Sequence, residues 1–147
     1  AAPVTIGPDL DLAGMLGEGK LSMAMVDSVP AGQYGKEALQ SLGLWAAVEP
    51  KVAQSENVRA ALDLVVRGEA PLGIVYGSDA VADDAAGNAV SVVGTFPADS
   101  HSPIIYPVAL TGAADAPENA AARAFLDHLS GASATARFTE QGFVVIE

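Results

Sequence analysis

The chain reads as an α/β protein, a mixed sheet flanked by helices, and three features carry that reading. Two short apolar segments each run directly into a turn that opens a helix: Val29-Pro30-Ala31-Gly32 upstream and Tyr76-Gly77-Ser78 downstream. Between them Val58, Ala61, Leu62, Val65 and Val66 fall at i, i+3, i+4, i+7 and i+8, the stripe of a helix that buries one face. Half of the 147 residues are hydrophobic but only 5% are aromatic, so Ala, Val and Leu must fill the core. That length supports one core-bearing domain or slightly more.

From the N-terminus, Ala1 to Pro8 is punctuated by Pro and Gly and is expected as a loop or edge segment. Asp9 or Asp11 caps a short helix through Leu16, which Gly17 and Gly19 end. Lys20 to Val26 is apolar enough for a buried strand. Pro30 stands near the first helical position, where its missing N–H costs nothing, and Tyr34, Ala38, Leu39 and Leu42 recur at helical spacing until Gly43. Leu44 to Val48 is a short apolar piece halted by Pro50, Lys51 to Gln54 adds a strand, and Ser55 caps the striped helix, which stops at Gly68. Leu72 to Tyr76 is a continuous apolar run between Pro71 and Gly77, which predicts a strand covered on both faces. Ser78 opens a short helix, Ala89 to Phe96 returns as a strand, and Ile104 to Leu110 forms another, broken by Pro107. A helix from about Pro117 to Leu129 is expected to bury Ala122, Phe125 and Leu129, and a second runs from about Ala132 to Gln141. Phe143 to Ile146 then closes as a strand or packs as an apolar tail.

Composition excludes several classes of function. A formal net charge of −11 repels nucleic acid and anionic membrane surfaces, so neither is expected as a partner. The absence of Cys removes disulfides, thiolate catalysis and Cys-based metal sites. No apolar run approaches the roughly 18 residues that span a bilayer, and no basic stretch followed by an apolar one marks a signal peptide within these residues.

Candidate chemical motifs mostly dissolve on inspection. Gly17-Glu18-Gly19-Lys20 lacks the spacing, the following Ser or Thr and the preceding strand of a phosphate loop. Asp27, Ser28 and His101 hold the residue types of a hydrolytic triad without a Gly-x-Ser-x-Gly elbow or any aligning spacing. His101 and His128 have no metal-ligand spacing, and Asp83-Asp84 and Asp99 form no calcium loop. The chain is therefore expected to be no enzyme and to hold no cofactor or protein-bound metal. Tyr76 differs: it ends a strand directly before a Gly-Ser turn, where open α/β sheets place ligands. Ala31 and Val58 offer only backbone N–H groups, but both stand near helix starts, where such groups lack intrahelical partners. A Ser55 cap would compete for one of them.

Three segments then carry a resemblance: Val29-Pro30-Ala31-Gly32-Gln33-Tyr34-Gly35-Lys36-Glu37-Ala38-Leu39, Ser55-Glu56-Asn57-Val58-Arg59, and Ala70-Pro71-Leu72-Gly73-Ile74-Val75-Tyr76-Gly77-Ser78-Asp79-Ala80. Their order and spacing resemble the periplasmic molybdate-binding proteins of molybdate ABC transporters, a type II solute-binding family. Thr95-Phe96-Pro97-Ala98-Asp99-Ser100-His101 and Tyr106-Pro107-Val108-Ala109 extend the likeness, and Ala24-Met25-Val26 departs from the family's Gly-Asp-Pro or Gly-Asn-Pro turn.

The resemblance implies one lobe of a type II periplasmic-binding-protein fold plus C-terminal helices. Residues 1–106 would form the ligand-binding α/β lobe, and 107–147 a hinge-crossing strand and helical tail. It implies a ligand, molybdate or tungstate, held by the Ala31 N–H, the Val58 N–H and the Tyr76 hydroxyl, and delivery to the membrane permease of an ABC transporter from a periplasmic or extracytoplasmic location. The family's first lobe, with two further Ser donors, has no counterpart in these residues, so half a site is expected. A donor-only site suits a fully deprotonated tetrahedral dianion, whereas hydrogen phosphate needs an acceptor for its own proton. A binding protein for another oxyanion such as sulfate, or a ligand-sensing regulatory domain, is the alternative. The apolar tail implies a homodimer that covers it.

Overall fold

Leu21, Ser22, Met23 and Ala24 are all buried, and they form β1 (Leu21–Ala24), the central strand of a three-stranded sheet. In the computed structural model, which describes residues 2–87, 90–112 and 119–146, both neighbours of β1 run parallel to it. β2 (Val52–Ser55) pairs on one side with Leu21 opposite Val52, and β3 (Leu72–Gly73) pairs on the other with Leu21 opposite Leu72. The order β2-β1-β3 means that the chain leaves the centre for one edge and then crosses to the other, which puts a topological switch point at β1.

Two helical crossovers make these connections. α1 (Leu12–Leu16) precedes the sheet, α2 (Pro30–Ser41) leads from β1 through α3 (Trp45–Val48) to β2, and α4 (Val58–Val66) leads from β2 to β3. Side chains alternate along β1, so the two crossovers can pack on opposite faces. On one face Gly35 of α2 lies so close to Met23 and Ile74 that an added Cβ would come within 2.7 Å of Met23 Cε. On the other, the buried Ser22 hydroxyl donates to the Ala61 carbonyl of α4 at 2.8 Å, beside Gly73 and Val65. The core proper joins Leu12, Leu16, Leu21, Met23, Val26, Leu39, Leu44 and Val48. Full burial contributes about 1.5–3 kcal/mol for each large side chain of this kind.

Local chemistry sets the element ends, in places differently from expectation. Asp11 caps α1, its carboxylate accepting from Gly14 N at 2.9 Å, and Gly17, Gly43 and Gly68 take the positive φ that ends α1, α2 and α4. The cap of α4 is Asn57 rather than Ser55, because Ser55 belongs to β2 and its carbonyl accepts from Met25 N. β3 is shorter than the expected Leu72 to Tyr76: its ladder covers Leu72 and Gly73 and ends with Ile74 N donating to Ser22 O. It has a single strand neighbour among the described residues, so none of residues 72–76 is fully buried. Ala89 lies outside the described residues, and 90–96 is not a strand; Val93 accepts one bond, from Val4 N.

The chain divides into two compact units, 1–103 and 104–147, and the second is built differently. Ile104 to Leu110 is not a strand: Pro107 has no donor to offer a ladder, and Ile105, Tyr106 and Val108 are each about 60% exposed. α6 (Ala120–Leu129) starts after Asn119, whose side chain accepts from Ala122 N at 3.3 Å; the expected start at Pro117 lies outside the described residues. Its Phe125, expected inside, is 63% exposed, while Ala122 and Leu129 are half-buried. α7 (Ala132–Glu140) follows, and the final apolar stretch is not a strand but packs its Phe143 ring edge-on against Tyr106 and Phe138.

Candidate functional site

Parallel strands deliver their carboxyl ends to one edge of a sheet, and here each of them feeds a helix from that edge. β1 runs into α2, β2 into α4, and β3 continues through residues 74–76 into α5 (Gly77–Ala85). Ala31 is the second residue of α2, Val58 is the first of α4, and Tyr76 immediately precedes α5. Three residues far apart in sequence thus come to the same sheet edge, each at a helix N-terminus, where unpaired N–H groups and the helix dipole favour negative charge.

The start of α2 is the most closely fitted of the three. Pro30 brings no N–H and Val29 no side-chain cap, so no neighbouring side chain competes for the Ala31 amide. Ala31 is itself buried. Gly32 allows the helix to begin directly against the end of β1, since a Cβ there would run into the Ala24 and Met25 carbonyls.

At α4 the Asn57 carboxamide accepts from Ala60 N at 2.9 Å, three residues on, so the competition expected from Ser55 for the Val58 N–H does not arise. At α5 the Tyr76 carbonyl accepts from Asp79 N and Ala80 N at 3.1 and 3.2 Å, which fixes the backbone of the half-buried Tyr76 at the start of the helix.

Further contacts hold these starts in register. Met25 N donates to Ser55 O at 2.9 Å and Val26 N to the Gln54 side chain at 2.9 Å, tying the loop before α2 to the end of β2. Arg59 Nε lies 3.7 Å from Asp79 Oδ1, which sets opposite charges on the first turns of α4 and α5. Ser22, Gln54, Asn57 and the Arg59–Asp79 pair were not marked as contributors by the sequence. Asn57 alone had a usable signal, an Asn directly before an apolar helical stripe.

The rejected motifs have structural roles. The Gly17 carbonyl accepts from Lys51 Nζ at 2.6 Å and Pro50 O from Lys20 Nζ at 3.3 Å, so these lysines bind carbonyls of turns. Asp27 pairs with Lys36 at 2.7 Å, whereas the His101 ring lies tilted beside Tyr34 and its Nδ1 meets Ser102 O at 2.8 Å. Glu37 of α2 sits below its ordinary carboxylate value, chiefly through hydrogen bonds from the Ser102 backbone and hydroxyl, with a smaller pull from His101. Among the described residues no group of three or more His, Asp or Glu is arranged to hold a metal ion.

The bacterial extracellular solute-binding protein family matches residues 4–144. The chain is 48% identical over 141 residues to the molybdate-binding protein ModA of Escherichia coli (strain K12), covering 96% of this chain and 52% of that one. A solved Clostridium difficile chain, assigned as the substrate binding domain of a molybdenum ABC transporter, is similar with a TM-score of 0.77 and 30% identity, covering 95% of this chain and 60% of that one. The periplasmic molybdate-binding protein of Azotobacter vinelandii shares the fold at a TM-score of 0.70 and 22% identity, over 99% of this chain and 62% of that one. These neighbours bear out the α/β class read from the sequence, a sheet flanked by helices in the manner of a periplasmic binding protein. The chain spans about half the length of the curated relatives it matches.

Proposed function

The chain belongs to the bacterial extracellular solute-binding protein family, and on that premise we propose that it captures a tetrahedral oxyanion, molybdate or tungstate, for delivery to the membrane permease of an ABC transporter. The observation that carries the proposal is the meeting of three helix N-termini at one edge of the parallel sheet, with Ala31, Val58 and Tyr76 at their starts. Two backbone N–H groups and a phenol hydroxyl form a set of donors without a cation. Such a set holds a fully deprotonated dianion and rejects a ligand that must donate a proton of its own. The relatives named for molybdate support that choice of anion. Three donors serve only part of a four-oxygen ligand, and we assign the chain half of the complete site. Its action is binding without catalysis or cofactor, in an extracytoplasmic compartment. A homodimer through residues 107–147 belongs to the same reading and is supported by the exposure of Phe125, Val144 and Ile146; sedimentation velocity of the purified chain would show it.

Calorimetric titration with molybdate, tungstate, sulfate and phosphate at neutral pH tests the function. Molybdate and tungstate should bind and phosphate should not. Tyr76→Phe should weaken molybdate binding roughly tenfold or more, because a hydrogen bond to a charged acceptor is worth about 1.5–3 kcal/mol, while the melting temperature stays near that of the parent. Equal binding of phosphate, or an unchanged affinity in Tyr76→Phe, would refute the assignment.

A further inference from the structure

We propose that Arg59 acts as a charge screen for this site, neutralising the Asp79 carboxylate so that it does not repel the bound anion. The inference rests on the oxyanion reading above. Asp79 is the third residue of α5, three positions after Tyr76, so a negative charge is fixed in the very turn whose N-terminus is proposed to favour a dianion. Its side chain is only 15% exposed, and water screens it poorly. Of the other acids beside these helix starts, Glu56 is exposed to solvent and Asp27 is paired with Lys36. The cation set against Asp79 is Arg59, the second residue of α4 and the next after Val58.

The geometry favours an electrostatic role over a mechanical one. A guanidinium that clamps two elements makes a paired fork of short bonds; here one Nε stands 3.7 Å from one carboxylate oxygen, and the Arg59 side chain is 87% exposed. That is a poor tether. Cancellation of charge needs no such fit, since Coulomb attraction falls off only slowly with distance where solvent is partly excluded. The same device recurs at the loop before α2, where Lys36 stands 2.7 Å from Asp27. In a chain with a net charge of −11, local pairing of this kind lets neutral donors attract an anion against the overall field.

A double-mutant cycle on the purified chain, read as molybdate affinity by calorimetry at low salt, tests the screen. Arg59→Ala alone should weaken binding about fivefold, and added salt should shrink the loss. Asp79→Asn alone should leave affinity unchanged or raise it. The double variant should return to within about twofold of the parent. If Asp79→Asn weakens binding as Arg59→Ala does, the pair is a structural tether and the screen is overturned. If Arg59→Ala costs the same fivefold in the Asp79→Asn background, Arg59 touches the anion itself, which also overturns it. Absence of any molybdate, tungstate or sulfate heat in the parent chain would instead bring down the oxyanion reading, and the screen with it. Far-ultraviolet circular dichroism and thermal melts of all four proteins separate these results from misfolding.

Discussion

Residues 2–103 and 104–146 are built from the same apolar-rich material, yet they dispose of it in opposite ways. In the first unit Leu21, Met23, Leu39 and Val48 are almost wholly buried, because a parallel sheet with a helix on each face covers both sides of its central strand. In the second, Ala134 is the buried apolar side chain among the described residues, while Ile105, Tyr106, Val108, Phe125, Val144 and Ile146 stand open. Amphipathic patterning alone thus does not make a core. The stripe of α4 finds β1 and β3 to pack on, whereas the stripe of α6 finds little cover among the described residues of its own unit. The site proposed here lies wholly on the first unit, where the positions of backbone N–H groups are set by a packed sheet.

The sharpest way to break this contrast is to remove one large apolar side chain from each unit. Leu39→Ala should lower unfolding stability by about 2–5 kcal/mol, because Leu39 is fully buried and its removal leaves a cavity. Phe125→Ala should change it by about 0.5 kcal/mol or less in the monomer, as for other exposed positions. Urea denaturation at low protein concentration reads both. Equal losses would show that Phe125 is buried in solution and erase the distinction. If the chain dimerises through its tail, Phe125→Ala should show its effect in sedimentation instead.

A smaller effect sharpens the comparison, since each unit has a helix capped by Asn. Asn57 Oδ1 accepts from Ala60 N at 2.9 Å and Asn119 Oδ1 from Ala122 N at 3.3 Å. Asn57→Ala should cost about 1 kcal/mol and Asn119→Ala less, the longer bond being the weaker. Amide hydrogen exchange of the first turns of α4 and α6 would locate each loss. A larger cost at Asn119 would show that the second unit depends on its helix ends more than its packing suggests.

What could be read from the sequence follows the same division. The start at Pro30, the helix expected from Ser78 and observed from Gly77, the stops at Gly43 and Gly68 and the strand within Lys20 to Val26 were legible, because Pro, Gly and a dense apolar run act locally. Ala31, Val58 and Tyr76 were singled out by their places beside helix starts and by resemblance, and the sheet order that brings them to one edge depends on pairings no local pattern encodes. The strands expected at Ala89 to Phe96 and Ile104 to Leu110 failed for a related reason. An apolar run becomes a strand only if a neighbour accepts its ladder bonds, and Val4 to Val93 is one bond where a ladder was expected. Ser55 lost the cap to Asn57 because its backbone was already committed to β2.

The smallest expected effect concerns how the loop 97–103 is held to α2 within the first unit. Ser102 donates its hydroxyl to Glu37 Oε1 at 2.8 Å, and His101 lies beside Tyr34. Ser102 hydrogen bonds, from backbone first and hydroxyl second, lower the Glu37 pKa below its ordinary 4.5. A lowered value means that the folded state favours the ionised carboxylate more than the unfolded state does. The contribution is therefore complete above about pH 4.5 and is lost as pH falls through the lower folded value. Glu37→Gln should accordingly differ from the parent in stability at neutral pH and converge on it in acid, as followed by urea unfolding across that range. Ser102→Ala should remove the hydroxyl's part of that pH dependence and leave the larger part, which comes from the Ser102 backbone N–H that alanine keeps. Parallel stability curves for the parent and Glu37→Gln at every pH would show that this contact is not maintained in solution, leaving the bond from the buried Ser100 hydroxyl to Pro97 O, at 2.6 Å, as an order internal to the loop.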